Sequence, residues 1–397
     1  MRILWSSNAP WAASGYGVQT HLFVPRIKNL LGHDMAILAF FGLQAGVLEI
    51  GGIKTYSGGS QPYGLDVQVA HAADFGADIT ITLIDSWVSR PETFPPDHRW
   101  CPWFPVDHEP VPPIVAQKVK QSFAPICYSL HAQTALAECG IDALYVPHGY
   151  DPQVYYPVPM AVAREQSLLP KDRFIVGMVA ANHGVPSRKS FPQCLEAFAQ
   201  FAKKRSDAVL YLHSVTGTAQ DGAQRLNLPE LCQVLGIADK VIFANDYRLQ
   251  FGYSAKEMAA VMNSLDVLLT PSMGEGFGVP ILEAQACGVP VITGDWTAMS
   301  ELTWKGHAIP RSEAFKFYTT LASYQYIATV DAIRDRLEWC YNDRQGGLRG
   351  APGQCATYEA DFVTRTYWGP VLEQIKERMA DAQSVRQIVQ ASAGGGA

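Results

Sequence analysis

The stretch from Val267 to Asp295, VLLTPSMGEGFGVPILEAQACGVPVITGD, determines the fold. An apolar strand leads into a loop punctuated by glycines, and Pro280 then opens a helix that runs to the next apolar strand. Glycines at such a turn let backbone N–H groups approach an anion, and the helix N-terminus adds about half a positive charge. The pattern predicts an α/β unit with a diphosphate site at Gly276, Phe277 and Gly278.

Two carboxylates lie on either side of this turn. Glu275 stands in the loop before the helix, and Glu283 stands on the second turn of the helix. A carboxylate accepts two hydrogen bonds in parallel and therefore suits the vicinal hydroxyls of a sugar or a ribose. A single Glu in such a place is more often a solvated residue, but the pair predicts a site that holds both ends of a nucleotide sugar.

The same alternation of apolar runs with stretches of helical period extends over the rest of the chain. It indicates parallel sheets covered by helices on both faces. The proline-rich residues 151–172 predict a linker, so we expect two doubly wound domains, 1–150 and 173–365, with a cleft at the carboxyl ends of their strands. The predicted strands are 3–6, 35–41, 78–84, 100–104, 126–130 and 143–146, then 174–179, 208–213, 240–243, 267–270 and 289–293; the predicted helices are 18–31, 192–204, 228–235, 255–264, 279–287, 330–341 and 370–389.

The composition excludes several classes of protein. The 397 residues are 48% hydrophobic and 17% charged, with a formal net charge of −6. The chain is too long and too apolar for a disulfide-stapled or disordered protein, and it shows no basic face for duplex phosphates. The eight cysteines include no C-x-x-C pair, and no apolar stretch reaches the roughly 18 to 20 residues that span a bilayer. We expect a reduced, cytoplasmic protein without an integral membrane segment and with a flexible tail, 391–397.

The run PSMGEGFGVPILEAQACGVPVIT is similar to the donor-binding signature of the family 4 glycosyltransferases, with the spacing of Glu275 and Glu283 intact. The resemblance implies the GT-B fold, in which two Rossmann-like domains face each other across a cleft. Domain 1–150 would lie on the acceptor side, domain 173–365 would bind the donor, and a helix over 366–390 would cross back to the first domain.

The reaction implied by the resemblance is transfer of a hexose from a nucleotide-diphosphate sugar to an acceptor hydroxyl with retention of configuration. The nucleotide sugar is then a substrate, and no cofactor is expected. The sequence contains no Asp-x-Asp, and its His and Cys spacing offers no metal cage, so no metal is expected either.

Shorter motifs in the sequence extend the resemblance to further residues. In FIVGMVAANHGVPSRKSF, Lys189 and then Arg188 are the expected diphosphate cations, and which of them dominates stays open. The family more often has an Arg early in this loop, where Asn182 and His183 stand here. In WFPVDHEPVPP, His108 is similar to the family's His-Glu-Pro element near the sugar ring.

The remaining predicted site residues come from three short segments. Gly15 and Gly17, in SGYGV, allow a close backbone approach to the donor phosphates. Glu301, in GDWTAMSEL, fits a family position close to the nucleotide, and His148, in VPHGYD, is interpreted as structural. We expect catalysis from His108, Lys189 and Glu275 and donor binding from Gly15, Gly17, Arg188, Gly276, Phe277, Gly278, Glu283 and Glu301.

Several functions remain open from the sequence. A nucleotide-sugar epimerase of the same fold, or a binding protein without catalysis that recognises glycans or nucleotides, fits the same signature. An NAD-dependent oxidoreductase fits poorly because Thr20 stands where the third glycine of G-x-G-x-x-G belongs. The sugar, the nucleotide base, the oligomeric state and the acceptor are also open; the acceptor could be a glycan, a lipid-linked glycan, a protein, a small molecule or a modified DNA base.

Overall fold

A computed structural model describes residues 1–217, 224–344, 347 and 349–394. Two parallel sheets covered by helices organise these residues. We call the residues around the first sheet the N-terminal domain and those around the second sheet the C-terminal domain. The strands are β1 (Arg2–Asn8), β2 (Asp34–Phe41), β3 (Val47–Ile50), β4 (Ile53–Ser57), β5 (Ile79–Leu83), β6 (Trp100–Phe104), β7 (Ile126–Cys127), β8 (Leu144–Tyr145), β9 (Phe174–Val179), β10 (Ala208–His213), β11 (Val241–Phe243), β12 (Val267–Leu269), β13 (Val291–Gly294), β14 (Gly306–Ile309), β15 (Lys316–Tyr318) and β16 (Tyr324–Tyr326). The helices are α1 (Gly15–Leu31), α2 (Gln68–Phe75), α3 (Pro113–Val119), α4 (Leu130–Glu138), α5 (Met160–Ser167), α6 (Phe191–Ala202), α7 (Leu228–Val234), α8 (Asp246–Phe251), α9 (Ala255–Ser264), α10 (Val279–Ala286), α11 (Ala298–Leu302), α12 (Val330–Asn342), α13 (Ala360–Val363) and α14 (Gly369–Gly394).

The first sheet contains eight strands in the order β3-β4-β2-β1-β5-β6-β7-β8. Its neighbours are parallel except for the antiparallel hairpin of β3 and β4 at one edge. Strand β1 pairs with β2 from Arg2 opposite Asp34 and with β5 from Ile3 opposite Ile79. The central strands are buried along most of their length, which explains the continuous apolar runs of β2 and β6. In β5, Thr80 and Thr82 alternate with apolar residues and are buried as well.

The second sheet contains six parallel strands in the order β11-β10-β9-β12-β13-β14. The carboxyl ends of the two sheets face each other, because an added Cβ at Gly276, after β12, would lie 2.3 Å from Cβ of Pro105, after β6. A bridge from Glu109 to Tyr324 of β16 joins the domains a second time. The predicted arrangement of two facing doubly wound domains is thus confirmed.

The stretch 151–172, which the sequence predicts to be a linker, contains α5. This helix packs against α9 of the C-terminal domain. Arg164 on α5 is buried and lies 2.7 Å from the carboxylate of Asp266, and it also donates to the carbonyl of Ser264 at 3.1 Å. Buried ion-pair and backbone contacts therefore attach the second part of this stretch to the C-terminal domain.

The chain returns to the N-terminal domain after α13. A π-helical turn, Thr364–Trp368, leads into α14, and Trp368 is fully buried. Its ring centroid lies 5.6 Å from that of Trp5 on β1 and 5.0 Å from that of Trp103 on β6. This aromatic cluster ties the C-terminal segment to the first sheet. Of the expected flexible tail, residues 391–394 continue the backbone of α14, and residues 395–397 lie outside the described residues.

Some predicted elements differ from the observed ones. The predicted strand 126–130 ends at Cys127 because the side chain of Ser129 accepts a hydrogen bond from the N–H of Ala132 and caps α4. The hairpins β3–β4 and β15–β16 have no predicted counterpart. Strand β3 is exposed at a sheet edge and β15 is three exposed residues long, so neither has the buried apolar run on which the prediction relied.

Two further observations concern the composition. All eight cysteines are free, and all but Cys139 are buried. Within the described part of the chain, no helix is both long and apolar enough to cross a membrane.

Replacement of Trp368 by Ala tests the aromatic cluster. We expect a loss of about 3–5 kcal/mol in the free energy of unfolding, because the change opens a cavity among Trp5, Trp103 and Phe23. Urea unfolding followed by circular dichroism measures this loss. The control is Phe362→Ala, six residues earlier and 41% exposed, which should cost less than about 1 kcal/mol. Equal losses in the two variants would contradict the role of the cluster.

Candidate active site

The Gly-rich turn lies between β12 and α10, at the carboxyl edge of the second sheet. Residues 267–277 are all buried, and the three residues that follow, 278–280, are half-buried. Gly278 precedes α10 with a φ of 107°, a left-handed conformation that favours glycine, and Pro280 stands in the first turn. No side chain caps α10, so its first N–H groups are available to an anion.

Glu275 lies before this helix N-terminus, next to two cations. Its carboxylate accepts a hydrogen bond from the ammonium of Lys189 and lies 3.3 Å from Nη1 of Arg188. Burial opposes the charge, but Lys189 and Arg188 outweigh it and lower the pKa of Glu275 to about 2. Burial, and then the charge of Arg188, lower the pKa of Lys189. Glu275 is therefore ionised throughout the physiological pH range.

Arg188 connects Glu275 to the N-terminal domain through an ion pair with Asp107. Its Nη1 lies 3.6 Å from the carboxylate of Asp107, which accepts a hydrogen bond of 2.6 Å from Nδ1 of the buried His108. Burial opposes the charge of Asp107, but His108 and Arg188 lower its pKa. We call Lys189, Glu275, Arg188, Asp107 and His108 the cross-domain charge chain. It brings the three residues predicted to be catalytic into one network.

Two glycines allow the domains to approach each other at this point. A Cβ added at Gly274 would lie 2.0 Å from the carbonyl oxygen of Asp107, and one added at Gly276 would lie 2.3 Å from Cβ of Pro105. Phe277 is buried with its ring centroid 5.2 Å from that of His148. The loop predicted to bind phosphate therefore also forms part of the contact between the domains.

The loop between β9 and α6 shows how the two cations divide their contacts. Asn182, which stands where the family more often has Arg, is buried and bonds to both the N–H and the carbonyl of Leu226. It fixes the loop and supplies no charge. Within the described residues, Lys189 forms an ion pair only with Glu275, whereas Arg188 contacts Glu275, Asp107 and the carbonyl of Gly274. Both predicted cations thus meet at Glu275.

Glu283 is buried on α10 behind this turn. The hydroxyl of Tyr155 hydrogen-bonds to its carboxyl group. Burial raises the pKa of Glu283 to about 7, and the Tyr155 hydrogen bond offsets only part of this effect. The two carboxyls predicted to act together therefore differ in charge state, because Glu275 has cationic partners and Glu283 does not.

Glu301 contacts the N-terminal domain directly. Its two carboxylate oxygens lie 3.1 and 2.9 Å from the backbone nitrogen of Leu130, the first residue of α4. Burial raises the pKa of Glu301 to about 7, although the N–H groups of Leu130 and His131 favour its ionised form. The predicted nucleotide-binding residue thus caps a helix across the domain boundary.

Gly15 and Gly17 lie at the N-terminus of α1, just beyond the carboxyl end of β1. An added Cβ at Gly17 would lie 2.3 Å from the carbonyl oxygen of Ala12, whereas one at Gly15 would meet nothing within 4 Å. The N–H of Gly17 donates to the side chain of Ser14, which caps the helix. Gly17 is required by the tight turn, and Gly15 leaves open space beside it.

The sequence reasoning missed three residues that lie around the charge chain. Asp85, in the turn after β5, interacts electrostatically with Asp107 and Arg188, and burial together with Asp107 raises its pKa to about 6. The hydroxyls of Tyr16 and Tyr128 hydrogen-bond to each other close to Asp85. The available signal for Asp85 was a carboxyl group immediately after a buried apolar strand, at the edge where ligands bind.

Several buried polar atoms at the carboxyl ends of the strands have no hydrogen-bond partner within the described residues. They include the hydroxyls of Ser86, Ser190 and Ser214 and Nδ1 of His148. Burial lowers the pKa of His148 to about 3, so this side chain is neutral. Unpaired polar atoms are costly in a folded protein, and their location at this edge is typical of a ligand site. Among the described residues, no group of three or more His, Cys, Asp or Glu side chains could hold a metal ion.

Comparison with known proteins shows a sequence similarity in residues 160–307. Residues 160–307 match the family described as "Glycosyl transferases group 1". A D-inositol 3-phosphate glycosyltransferase of Stackebrandtia nassauensis is 31% identical over 165 residues, which are 41% of this chain and 35% of that protein. A mannosylfructose-phosphate synthase of Agrobacterium fabrum is 29% identical over 151 residues, which are 37% of this chain and 31% of that protein. The chain thus spans about a third of the length of the curated relatives it matches.

Solved structures resemble the whole chain. Sucrose-phosphate synthase from Thermosynechococcus elongatus has a TM-score of 0.69 at 17% identity, over 98% of this chain and 99% of that one. HepE from Anabaena, solved in complex with UDP-glucose, has a TM-score of 0.62 at 16% identity, over 97% of this chain and 100% of that one. Residues 160–307 are therefore similar to the group 1 glycosyl transferases, and the whole chain has the GT-B fold of two facing Rossmann-like domains.

Proposed function

We propose that this protein transfers a hexose from a nucleotide-diphosphate sugar to an acceptor hydroxyl, with retention of anomeric configuration and without a metal ion. One observation carries the proposal: Glu275 meets Lys189 and Arg188 beside the uncapped N-terminus of α10. The family match over residues 160–307 supports the reaction class, and the UDP-glucose bound to HepE supports the donor class. The eight free cysteines agree with a cytoplasmic location.

The cations and the helix N-terminus stabilise the leaving group in this proposal. Negative charge grows on the nucleoside diphosphate as its bond to the sugar breaks. Lys189 supplies a point charge, Arg188 supplies planar donors, and the N–H groups at Gly276, Phe277 and Gly278 supply fixed dipoles. Such groups are effective in a buried site because they need little reorganisation during the reaction.

Glu275 acquires a second role when the donor binds. The charge of its carboxylate is balanced by Lys189 and Arg188. A diphosphate competes for the same cations, and the carboxylate of Glu275 is then available to accept hydrogen bonds from vicinal hydroxyls of the sugar. Because its pKa lies at about 2, Glu275 remains an acceptor at neutral pH.

His108 orients the sugar from the other side of the cleft. The hydrogen bond from its Nδ1 to Asp107 fixes the ring and leaves Nε2 for a ligand. In the proposed step, the bond from the anomeric carbon to the phosphate oxygen breaks, and a bond from that carbon to the acceptor oxygen forms on the same face. The acceptor proton moves to the departing phosphate oxygen, so no protein base is needed.

The variants Lys189→Ala and Glu275→Ala test this mechanism. We expect each to lower kcat/KM for the donor by about 100-fold, because each removes a charge that acts on the leaving group or the sugar. Release of nucleoside diphosphate over a panel of UDP-, GDP- and ADP-sugars measures the effect. Lys203→Ala, an exposed charge at the end of α6, is the matched control and should retain full activity.

The same assay distinguishes the other functions. Unchanged turnover in both variants would contradict the proposed site. Turnover of the donor sugar without an acceptor, and without release of nucleoside diphosphate, would indicate an epimerase. Ligand-induced shifts in melting temperature without any turnover would indicate a binding protein that lacks catalysis.

The charge state of Glu283 predicts a pH dependence of donor binding. We propose that ionised Glu283 accepts hydrogen bonds from the ribose hydroxyls. With a pKa of about 7, it is mostly protonated below that pH and ionised above it. The donor KM should therefore fall about ten-fold as the pH rises from about 6 to about 8.

The variant Glu283→Gln should flatten this profile and raise the donor KM at the higher pH. Steady-state kinetics at the two pH values measure both effects. Glu165→Gln, which removes an exposed carboxylate on α5, should keep the profile of the original protein. A Glu283→Gln variant with the full pH dependence would assign the titration to another group, Glu301 in the first place.

A further inference from the structure

Asp85 is a carboxylate that the proposed mechanism does not use. It stands two residues after β5, and Asp107 stands three residues after β6; these strands are adjacent, with Leu83 opposite Trp103. Asp107 is occupied by His108 and Arg188. In contrast, no side chain of the described residues hydrogen-bonds to the half-buried carboxyl of Asp85.

A second, independent observation comes from the next residue. The hydroxyl of Ser86 is buried, with its residue only 1% exposed, and it has no hydrogen-bond partner within the described residues. The paired hydroxyls of Tyr16 and Tyr128 lie within electrostatic range of Asp85. The turn after the carboxyl end of β5 thus holds a carboxyl to which no side chain hydrogen-bonds, among the described residues, and a buried hydroxyl without a hydrogen-bond partner. Such groups exchange hydrogen bonds with hydroxyl-bearing ligands.

Most Lys and Arg residues of the N-terminal domain lie away from Asp85 or already have partners. Residues 1–150, all of which the structure describes, contain eight Lys and Arg. Arg2, Lys54 and Arg99 stand at or just before the amino ends of strands, opposite the cleft. Lys28, in the last turn of α1, donates to the carbonyl of Gly52.

The other four of these cations are also accounted for. Arg26 is paired with Asp361 at 2.7 Å, Lys118 donates to the carbonyl of Ser89, and Lys120 follows the end of α3. Arg90 alone is an exposed cation in the connection that follows the carboxyl end of β5, and its Nη1 lies 3.5 Å from Gln61. Among the side chains of residues 1–150, a phosphate on the acceptor would therefore meet the carboxyls of Asp85 and Asp107 before a cation. The nearby cation of the C-terminal domain, Arg188, is already in contact with Glu275 and Asp107.

We propose that the acceptor of this enzyme is a neutral polyhydroxylated compound, a sugar or a polyol, which binds through its hydroxyls to Asp85 and Ser86, and that phosphorylated acceptors are rejected. The inference rests on the proposed function and adds the substrate class. A carboxylate accepts hydrogen bonds from two vicinal hydroxyls, whereas a phosphate monoester, with a charge of about −2, is repelled by Asp85 and Asp107. The relatives described above differ here, since their names specify phosphorylated compounds.

Matched pairs of acceptors test this assignment. The probes are fructose with fructose 6-phosphate, glucose with glucose 6-phosphate, and myo-inositol with inositol 3-phosphate. Each is assayed with a donor already shown to shift the melting temperature of the protein. We expect the unphosphorylated member of at least one pair to be glycosylated with a kcat/KM at least about ten-fold above that of its phosphate.

The variant Asp85→Asn tests the residue itself. It should raise the KM of the neutral acceptor about ten-fold while the donor KM stays unchanged, because it removes a charge-assisted hydrogen bond to the acceptor only. Arg90→Ala is the matched control in the same connection and should leave both KM values unchanged.

Four results would overturn the proposal. Two concern phosphate: a higher kcat/KM for the phosphorylated acceptors, or loss of the activity toward phosphorylated acceptors in Arg90→Ala. The other two are an unaltered acceptor KM in Asp85→Asn and no glycosylation of any unphosphorylated probe. None of them affects the proposed transfer reaction if donor binding and release of nucleoside diphosphate persist. Failure of every donor to bind or to turn over would instead overturn the proposed function itself.

Discussion

The buried ion pair between Glu275 and Lys189 is the interaction on which the candidate site depends. Charges leave water at a cost, and a pair repays this cost only when its geometry is good and further groups complete it. Here Arg188 adds a second cation, and Asp107 balances that cation from the other domain. Such a network is weak evidence for stability, because apolar residues would often serve as well. The network lies at the carboxyl ends of the strands of both sheets, which is where ligands bind in α/β folds.

The same network makes the site a property of both domains. Lys189, Glu275 and Arg188 come from the C-terminal domain, whereas Asp107 and His108 come from the N-terminal domain. Backbones must approach closely for these side chains to meet. The glycines at 274 and 276 permit this, because a side chain at either position would collide with residues 105–107. Glu301 adds another contact between the domains, because its carboxylate accepts a hydrogen bond from the N–H of Leu130 at the start of α4. Close packing and charge pairing thus reinforce each other at one junction.

The fold was largely predictable from the sequence because its signals are local. Strands 100–104, 174–179 and 208–213 coincide with the observed bounds, since each is a continuous apolar run between turns. The fold class and the similarity to group 1 glycosyl transferases could be predicted from a single run around Glu275. What could not be predicted depends on tertiary contacts. Exposed β3 lacks an apolar run, and α4 depends on the cap at Ser129. The roles of the predicted site residues remain predictions, although the structure brings several of them together.

Asp85 illustrates the same limit within the site. Asp85 was selected because no side chain of the described residues hydrogen-bonds to its carboxyl group. The sequence alone does not show which carboxyl groups lack such a partner. The sequence places Asp107 next to His108. Only the structure shows that the carboxylate of Asp107 accepts a hydrogen bond from His108 and lies close to Arg188. Two carboxyls of similar placement after adjacent strands therefore differ in their contacts: Asp107 is held by His108 and Arg188, and we propose Asp85 as the ligand-binding one.

The distribution of charge across the cleft explains how a protein with a net charge of −6 can serve an anionic donor. The cations Lys189 and Arg188 and the free N-terminus of α10 lie on the C-terminal side, and the carboxyls Asp85 and Asp107 lie on the N-terminal side. Local potential in a cleft depends on these near groups rather than on the total charge. In the proposed reaction, the C-terminal side of the cleft attracts the diphosphate of the donor, and the sugar extends toward the N-terminal domain. In the same proposal, the N-terminal side binds the hydroxyls of the acceptor, so the two substrates occupy sides of the cleft that differ in charge.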